Sequence, residues 1–257
     1  MGEVLIMTSI YNNYSFNTGF SIPKTGFQGA KAAYIPVAKP LKDGYVTNPL
    51  YEFFGTRAEI EAAAKTNPRI QEILRDANLP VKVNEAELEK LKTGHLQRTR
   101  ITAAKIYSNL LAELKQTVNP QELQAAAMLH DYGKVLIPDS ILNKKGELDE
   151  KEWLIMKEHS ELGSELLKDK NLSPRTLDLI KFHHRTKKDT GYPVPDLSYV
   201  YGLDSEILSV ADKYEALLEK RSYKDAMSKE EALSLIETGV SEGFISPEVF
   251  EALKKSV

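Results

Sequence analysis

The chain has 257 residues, a formal net charge of −3 and no cysteine. Hydrophobic residues make up 42% of it and charged residues 28%, a balance typical of a globular protein with one large domain or a domain with a smaller attachment. The missing cysteine excludes disulfides, thiolate metal sites and cysteine nucleophiles, and the slightly acidic charge gives no sign of a binder of polymeric nucleic acid. No apolar run approaches the ~20 residues that span a bilayer, so we expect a cytoplasmic protein without a membrane segment.

The first part of the chain, residues 1–85, carries few signs of regular structure. Residues 1 to about 50 are rich in Asn, Ser, Thr, Gly, Tyr and Pro, and weak helical patterns follow at 58–65 and 69–77 before Pro80. An irregular segment of this length cannot build a core of its own. We therefore expect an N-terminal extension, a flexible arm or a packing element, rather than a sensor domain.

After Pro80 the sequence is typical of a succession of helices. Apolar residues recur at helical spacing on one face from Leu88 to Leu110, with His95 among them. No strand-like alternation of any length occurs. Five helix starts are marked by a capping residue followed by proline, or by a glutamate three residues later: Asn119, Asp149, Ser173, Ser228 and Ser246. Residues 86–257 are therefore predicted to form an all-α bundle.

All five histidines lie in this helical part, at positions where the pattern points each of them inward. They are His95, His130, His159, His183 and His184, and Asp131 and Asp212 point the same way. A single histidine on an apolar face is more often a hydrogen-bonded core residue than a ligand. Seven inward residues of this kind favour a bound cation, because burying a carboxylate without a partner costs several kcal/mol.

Seven candidate ligands are too many for one metal ion. A tetrahedral ion with an open position takes three protein ligands, whereas two ions ~3.5–4 Å apart, bridged by a carboxylate and a hydroxide, would use all seven. Asp131, next to His130 at a helix end, is the natural bridge. Nitrogen and oxygen ligands without sulfur suit iron, manganese or zinc, as two divalent or mixed-valence ions. The sequence therefore predicts a hydrolytic two-metal centre.

The motifs around these residues resemble the HD-GYP family, a branch of the HD-domain phosphohydrolases that hydrolyses cyclic di-GMP. They occur in the family's order and nearly at its spacing, from about Thr93 to Val257. The motifs are His-Asp-x-Gly-Lys at 130–134, the stretch 137–144, Met156-Lys157-x-His159, His183-His184 followed by Gly191-Tyr192-Pro193, and Val210-Ala211-Asp212. The resemblance implies an all-α HD-domain fold and makes the seven inward residues the metal ligands.

The same resemblance implies roles at the reaction centre. Asp131 would hold a hydroxide that bridges the metals and attacks phosphorus, and Lys134 would stabilise the charge that develops. Tyr192, Arg221 and Lys224 would bind the substrate, although composition alone makes Arg221 and Lys224 a solvated helix end. Arg98, one turn after His95, also matches a family position and would orient the site.

The chain departs from the family in the loop after His184. The family usually reads His-His-Glu-x-x-Asp-Gly-x-Gly-Tyr-Pro, and here Arg185, Lys188 and Asp189 replace the glutamate, the aspartate and the first glycine. Arg185, Lys187 and Lys188 either raise the potential for anionic ligands or lie in solvent. Glu215 replaces the usual aspartate. Leu91 stands where some members have a glutamate for a third metal, which favours two.

The predicted function is hydrolysis of a cyclic dinucleotide second messenger, cyclic di-GMP first. One alternative is an HD-domain phosphohydrolase that acts on another nucleotide or phosphoester, which the altered loop supports. Another is a non-catalytic module that binds cyclic di-GMP for signalling, which the complete ligand set argues against. The predicted partner is the cyclic dinucleotide, with no polymeric nucleic acid and no membrane. A homodimer or a signalling partner is left open.

Overall fold

The computed structural model describes residues 53–220 and 225–257, and every regular element within these ranges is helical. The helices are α1 Arg57–Thr66, α2 Pro68–Asp76, α3 Glu85–Leu91, α4 His95–Asn109, α5 Ala112–Lys115, α6 Pro120–Leu129, a 3-10 helix Tyr132–Leu136, α7 Asp139–Leu142, α8 Glu150–Lys157, α9 His159–Leu167, α10 Pro174–Lys181, α11 Leu203–Leu218, α12 Lys229–Ser241 and α13 Pro247–Ser256. The predicted all-α fold is confirmed for these residues.

The helix ends follow from short polar side chains at the predicted starts. Asn119 and Ser173 each accept a hydrogen bond from the first turn and precede a proline at the first helical position. Asp149 and Ser228 form capping boxes with glutamates three residues later. Ser246 differs, because its hydroxyl donates to Glu206 and makes no cap. All five starts lie within a residue of their predicted positions.

The apolar stripe from Leu88 to Leu110 belongs to two helices. A break at Gly94, whose φ is 80°, separates α3 from α4. Glycine adopts this left-handed backbone without a steric cost, so the chain can change direction there. His95 consequently becomes the first residue of α4 instead of lying inside one long helix.

The segment before Pro80 folds onto the rest of the bundle. Buried side chains of Phe54, Ile60 and Ile70 belong to the same hydrophobic core as the later helices. The Arg69 guanidinium forms an ion pair with Glu161 of α9, with Nε 3.0 Å from Oε1. The part of the predicted extension that is described, from residue 53 onward, is therefore a packing element.

The centre of the bundle is α4, which packs against α6, α11 and α13, while α10 packs against both α6 and α9. The buried alanines 125–127 of α6 let neighbouring helices approach closely. This packing brings the beginnings of α4 and α9, the ends of α6 and α10 and the middle of α11 close together. None of the described helices has the length and hydrophobicity that a bilayer crossing needs.

Candidate metal centre

The seven residues predicted as ligands come together from five parts of the chain. His95 begins α4, His130 and Asp131 directly follow α6, His159 begins α9, His183 and His184 follow α10, and Asp212 lies within α11. Most of them sit at helix ends, where the chain turns and a side chain can point along the bundle axis. The fold thus gathers residues that are up to 117 positions apart, such as His95 and Asp212.

The ligand atoms form three overlapping groups, in each of which they lie within 4.8 Å of one another. These groups are His159 with His183 and His184, His95 with His130 and Asp212, and His130 with Asp131 and His183. Together they include all seven residues. Two of the groups share no residue, and the third takes His130 from one of them and His183 from the other.

Two aspartates link the histidines across the cluster. The Oδ1 of Asp131 is 3.4 Å from His159 Nε2, and its Oδ2 is 3.5 Å from His130 Nε2. The Oδ1 of Asp212 is 3.0 Å from His95 Nε2 and 3.4 Å from His130 Nε2. Each carboxylate therefore faces two imidazoles, and the two oxygens of Asp131 face different ones.

Backbone carbonyls fix the orientation of three imidazoles. The Nδ1 of His130, His159 and His183 lies 3.0, 2.6 and 2.7 Å from the carbonyl oxygens of Ala127, Met156 and Ile180. Each partner is three residues earlier in the chain. A carbonyl can only accept, so Nδ1 of each ring carries a proton. Nε2 is therefore the ring nitrogen through which each of these histidines can bind a metal.

The donor set fits a metal. The Nε2 of His130 is buried, and within the described residues it has no hydrogen-bond partner. Burial lowers the pKa of His159 to about 4 and of His183 to about 3. These two imidazoles are therefore neutral near pH 7 and available as metal ligands. A buried nitrogen such as His130 Nε2 lowers the stability of the protein when it has no partner, and a bound metal would supply one.

Both aspartates remain ionised in this interior. Burial acts to raise the pKa of Asp131, but Lys134, His130 and His159 hold that pKa well below its ordinary value. The Lys134 ammonium donates to Asp131 Oδ2 over 2.6 Å. Burial likewise opposes ionisation of Asp212, and His130 and His95 outweigh it. Lys134 thus lies beside the cluster, as predicted from the resemblance.

Gly133 explains why the motif needs glycine at this point. A Cβ there would lie 2.0 Å from the His159 carbonyl oxygen and 2.4 Å from the Gly163 nitrogen. Real Cβ atoms do not approach other heavy atoms so closely. The missing side chain therefore lets the start of α9 touch the 3-10 helix, and this contact places His159 next to Asp131.

A network of ion pairs and hydrogen bonds lies next to His95, at one end of the cluster. The predicted Arg98 forms ion pairs with Glu215, Nε to Oε2 at 3.3 Å, and with Glu219, Nη2 to Oε1 at 3.0 Å. Thr102 donates to Glu215 Oε1 over 2.5 Å. Glu219 was missed at the level of sequence, although its spacing of seven residues from Asp212 places it on the same helical face.

The altered loop after His184 is held by its own charges. Arg185 is only 5% exposed, donates from Nη1 to the Gly191 carbonyl over 2.8 Å and forms an ion pair with Asp189. Lys187 donates to Ser246, 2.8 Å away, and the Lys188 ammonium lies 4.5 Å from the Phe244 ring centroid. The three positive charges therefore have partners in the fold. Arg185 and Asp189 compensate each other as a pair.

The remaining predicted substrate residues divide into two cases. Tyr192 lies at the cluster, with its ring centroid 4.5 Å from that of His184 and 6.3 Å from that of His159. Arg221 and Lys224 lie outside the described residues. Trp153 and Lys157, which contact the Tyr192 ring, were missed as site residues. Lys157 stands in the motif Met156-Lys157-x-His159, and the spacing of four places Trp153 on the same helical face.

An all-α bundle with a His-Asp pair at its metal-ligand cluster is typical of HD-domain proteins. The chain belongs to the HD-domain family, whose HD_5 profile, described as an HD domain, matches residues 80–249. The membership that the motifs predicted is therefore confirmed.

Named relatives share this part of the chain. The 3'3'-cGAMP-specific phosphodiesterase 2 of Vibrio cholerae serotype O1 is 37% identical, and the match covers 58% of this chain and 28% of that protein. A cyclic di-GMP phosphodiesterase of the same organism is 33% identical, and the match covers 65% of this chain and 36% of that protein. The chain thus spans about a third of the length of these relatives. The solved structure of Bd1817, an HDG"Y"P protein from Bdellovibrio bacteriovorus, matches with a TM-score of 0.50 and 17% identity, covering 81% of this chain and 67% of that one. At this identity the likeness concerns the fold.

Proposed function

We propose that the protein is a metal-dependent phosphodiesterase that hydrolyses a cyclic dinucleotide, cyclic di-GMP first. The observation that carries the proposal is the convergence of five histidines and two aspartates in three overlapping ligand groups. The names of the relatives add to it, since they include phosphodiesterases for cyclic di-GMP and for cGAMP. We assign this activity to residues 86–257, with residues 1–85 as an extension.

The proposed centre holds two ions of iron, manganese or zinc, because seven nitrogen and oxygen ligands exceed what one ion uses. The ligands would be His95, His130, Asp131, His159, His183, His184 and Asp212, with Asp131 shared. When bound, such ions lower the pKa of water and offset the charge on a phosphodiester. Three of the imidazoles are pre-oriented by their backbone carbonyls, so little reorganisation is needed on binding.

The residues beside the ligands would handle the phosphodiester itself. Water adds to phosphorus, the ribose oxygen leaves with a proton, and negative charge grows on the phosphate oxygens. Lys134 is 19% exposed at its side chain and already lies against Asp131, so its ammonium can stabilise that charge. Tyr192, whose ring packs on His184, would contact the flanking nucleoside, and Arg221 with Lys224 would hold the remaining phosphate.

A different phosphoester substrate is the second candidate function. The loop from Arg185 to Asp189 supports it, because the charges of this loop are reversed with respect to the family's usual sequence. The internal Arg185–Asp189 pair closes the loop without the usual residues. Substrate choice is therefore the property that an experiment has to decide.

The test is a substrate panel with purified, metal-loaded protein. Cyclic di-GMP, 3'3'-cGAMP, cyclic di-AMP and simple phosphomonoesters are incubated at equal concentration, and the products are separated by chromatography. Hydrolysis of a cyclic dinucleotide that stops in a chelator supports the proposal. Hydrolysis of phosphomonoesters alone would support the second candidate, and tight binding of cyclic di-GMP without any turnover would indicate a signalling module.

A further inference from the structure

A lysine lies between two aromatic rings at the edge of the metal cluster. Its ammonium is 5.8 Å from the ring centroid of Trp153 and 5.8 Å from that of Tyr192. The two rings meet edge to face, with centroids 6.4 Å apart and planes at 78°. Since the Tyr192 ring also packs on His184, the group formed by Trp153, Lys157 and Tyr192, called here the aromatic cluster, adjoins the ligands.

Helix α8 presents this group from one face. Trp153 and Lys157 are four residues apart, so they lie one turn from each other on the same side of the helix. Leu154, on another side, is 59% exposed. Both members of the cluster from α8 are half-buried, which places them at the rim of the site and within reach of a ligand.

The aromatic cluster has donors that the described residues do not use. Among residues 53–220 and 225–257, the Lys157 ammonium donates no hydrogen bond and forms no ion pair, and it lies over the faces of the two rings. Within the same ranges, the buried Nε1 of Trp153 has no acceptor. An ammonium carries three N–H donors, and its attraction to a ring face leaves them able to bind an acceptor from a ligand.

We propose that the aromatic cluster is the subsite for a guanine base, with Lys157 as the donor to the acceptor edge of that base. This inference rests on the proposed function and deepens it. The Trp153 and Tyr192 rings supply an aromatic rim for a purine base, while the Lys157 ammonium lies over a face of each ring and His184 packs on Tyr192. Discrimination then comes from the lysine, because guanine has adjacent O6 and N7 acceptors where adenine has N7 beside an amino donor.

The experiment compares three single variants of the full chain with the wild type. Lys157→Met removes the donors at nearly constant length, and Lys157→Arg keeps N–H donors that also fit O6 and N7. Lys151→Met, at an exposed position of the same helix, removes an equal charge and serves as the matched control. Dissociation constants and kcat/KM are measured with cyclic di-GMP and with cyclic di-AMP, together with the metal content.

We expect the wild type, Lys157→Arg and Lys151→Met to prefer cyclic di-GMP by similar ratios. Lys157→Met should lose about ten-fold of this preference, or ~1.4 kcal/mol, while its metal content stays unchanged. An unchanged ratio in Lys157→Met would overturn the subsite. So would an equal loss with both dinucleotides, which would make Lys157 a phosphate contact, and so would a loss of metal.

The failure of the proposed function would look different. If the metal-loaded wild type hydrolysed neither dinucleotide, the phosphodiesterase proposal would be wrong. The ratio of dissociation constants would still decide the subsite, because base recognition needs binding and not turnover. A guanine preference in binding that Lys157→Met abolishes supports the subsite in either case, and binding without a preference contradicts it.

Discussion

Asp131 and Lys134 are in contact, 2.6 Å apart, yet their chemistry predicts different consequences of mutation. Asp131→Ala removes a carboxylate that faces both His130 and His159, so we expect loss of bound metal together with loss of turnover. Lys134→Met removes a charge that contributes no ligand atom. We expect it to retain metal and to lower kcat by about 10²–10³, as for other groups that stabilise transition-state charge.

Elemental analysis and initial rates of the two variants check this pair of predictions. The control is Lys144→Met, a change of charge on another part of the surface, where the lysine pairs with Glu152. If Lys134→Met emptied the site, its role would be assembly of the centre and not catalysis.

The buried imidazoles also predict how the metal-free protein responds to pH. Burial lowers the pKa of His159 to about 4, of His183 to about 3, and of His184 well below 6.5. An unfolded chain, with histidines near 6.5, therefore binds more protons than the folded chain between about pH 6.5 and pH 4. Stability should fall as the pH is lowered through this window. His130, with a raised pKa, opposes the trend, and so do Glu158 and Asp178, whose pKa values are raised by burial.

Urea unfolding in a chelator measures this effect. The midpoint at about pH 5 should lie below that at about pH 7, because three histidines act in one direction and one in the other. The two aspartates do not alter the sign, since their lowered pKa values keep them ionised in this window. An equal or higher midpoint at about pH 5 would show that the folded histidines are charged.

At the scale of elements, the segment before α1 is tied to the His-Asp motif. The Gly55 amide donates to the Tyr132 hydroxyl over 3.0 Å, and the rings of Phe54 and Tyr132 meet edge to face at 5.3 Å. Tyr132→Phe leaves the Gly55 amide without its partner, which should cost about 1–3 kcal/mol of stability. Urea unfolding measures the loss, and Tyr107→Phe is the control. A midpoint unchanged by Tyr132→Phe would mean that water replaces the hydroxyl.

The loop after His184 makes a prediction of its own. Arg185→Ala removes the donor to the Gly191 carbonyl and the partner of Asp189, so the positions of His184 and Tyr192 should relax. We expect a stability loss of about 1–2 kcal/mol and weaker metal retention. Lys187→Ala removes an equal charge from the same loop but only a contact to Ser246. Equal effects of both variants on metal content would show that charge matters and not loop closure.

Helices and ligand types could be read from the sequence because both depend on local patterns. Asn119, Asp149 and Ser228 cap helices by contacts within a few residues, and the histidines stand in short motifs. The break at Gly94 could not be read, because the apolar period continues across it. The Arg185–Asp189 pair and the Trp153–Tyr192 contact depend on how a loop folds back on a helix, and no local pattern encodes that.

For the whole molecule, the centre and the fold depend on each other. The ligands come from five helices or helix ends, and His95 and Asp212 meet only when α4 packs on α11. A metal that binds the folded chain alone stabilises it by mass action, about 2.7 kcal/mol at a hundred-fold excess over Kd. Adding a chelator should therefore lower Tm as well as activity. A Tm that a chelator leaves unchanged would contradict this coupling.

The most direct measurement of the central claim is a metal titration of activity. Metal-free protein receives increasing equivalents of iron, manganese or zinc, and cyclic di-GMP hydrolysis is followed at each point. Seven converging ligands predict no activity without metal and a plateau at two equivalents per chain. Full activity at zero equivalents or at one, or no hydrolysis at two equivalents of any of the three metals, would contradict the account.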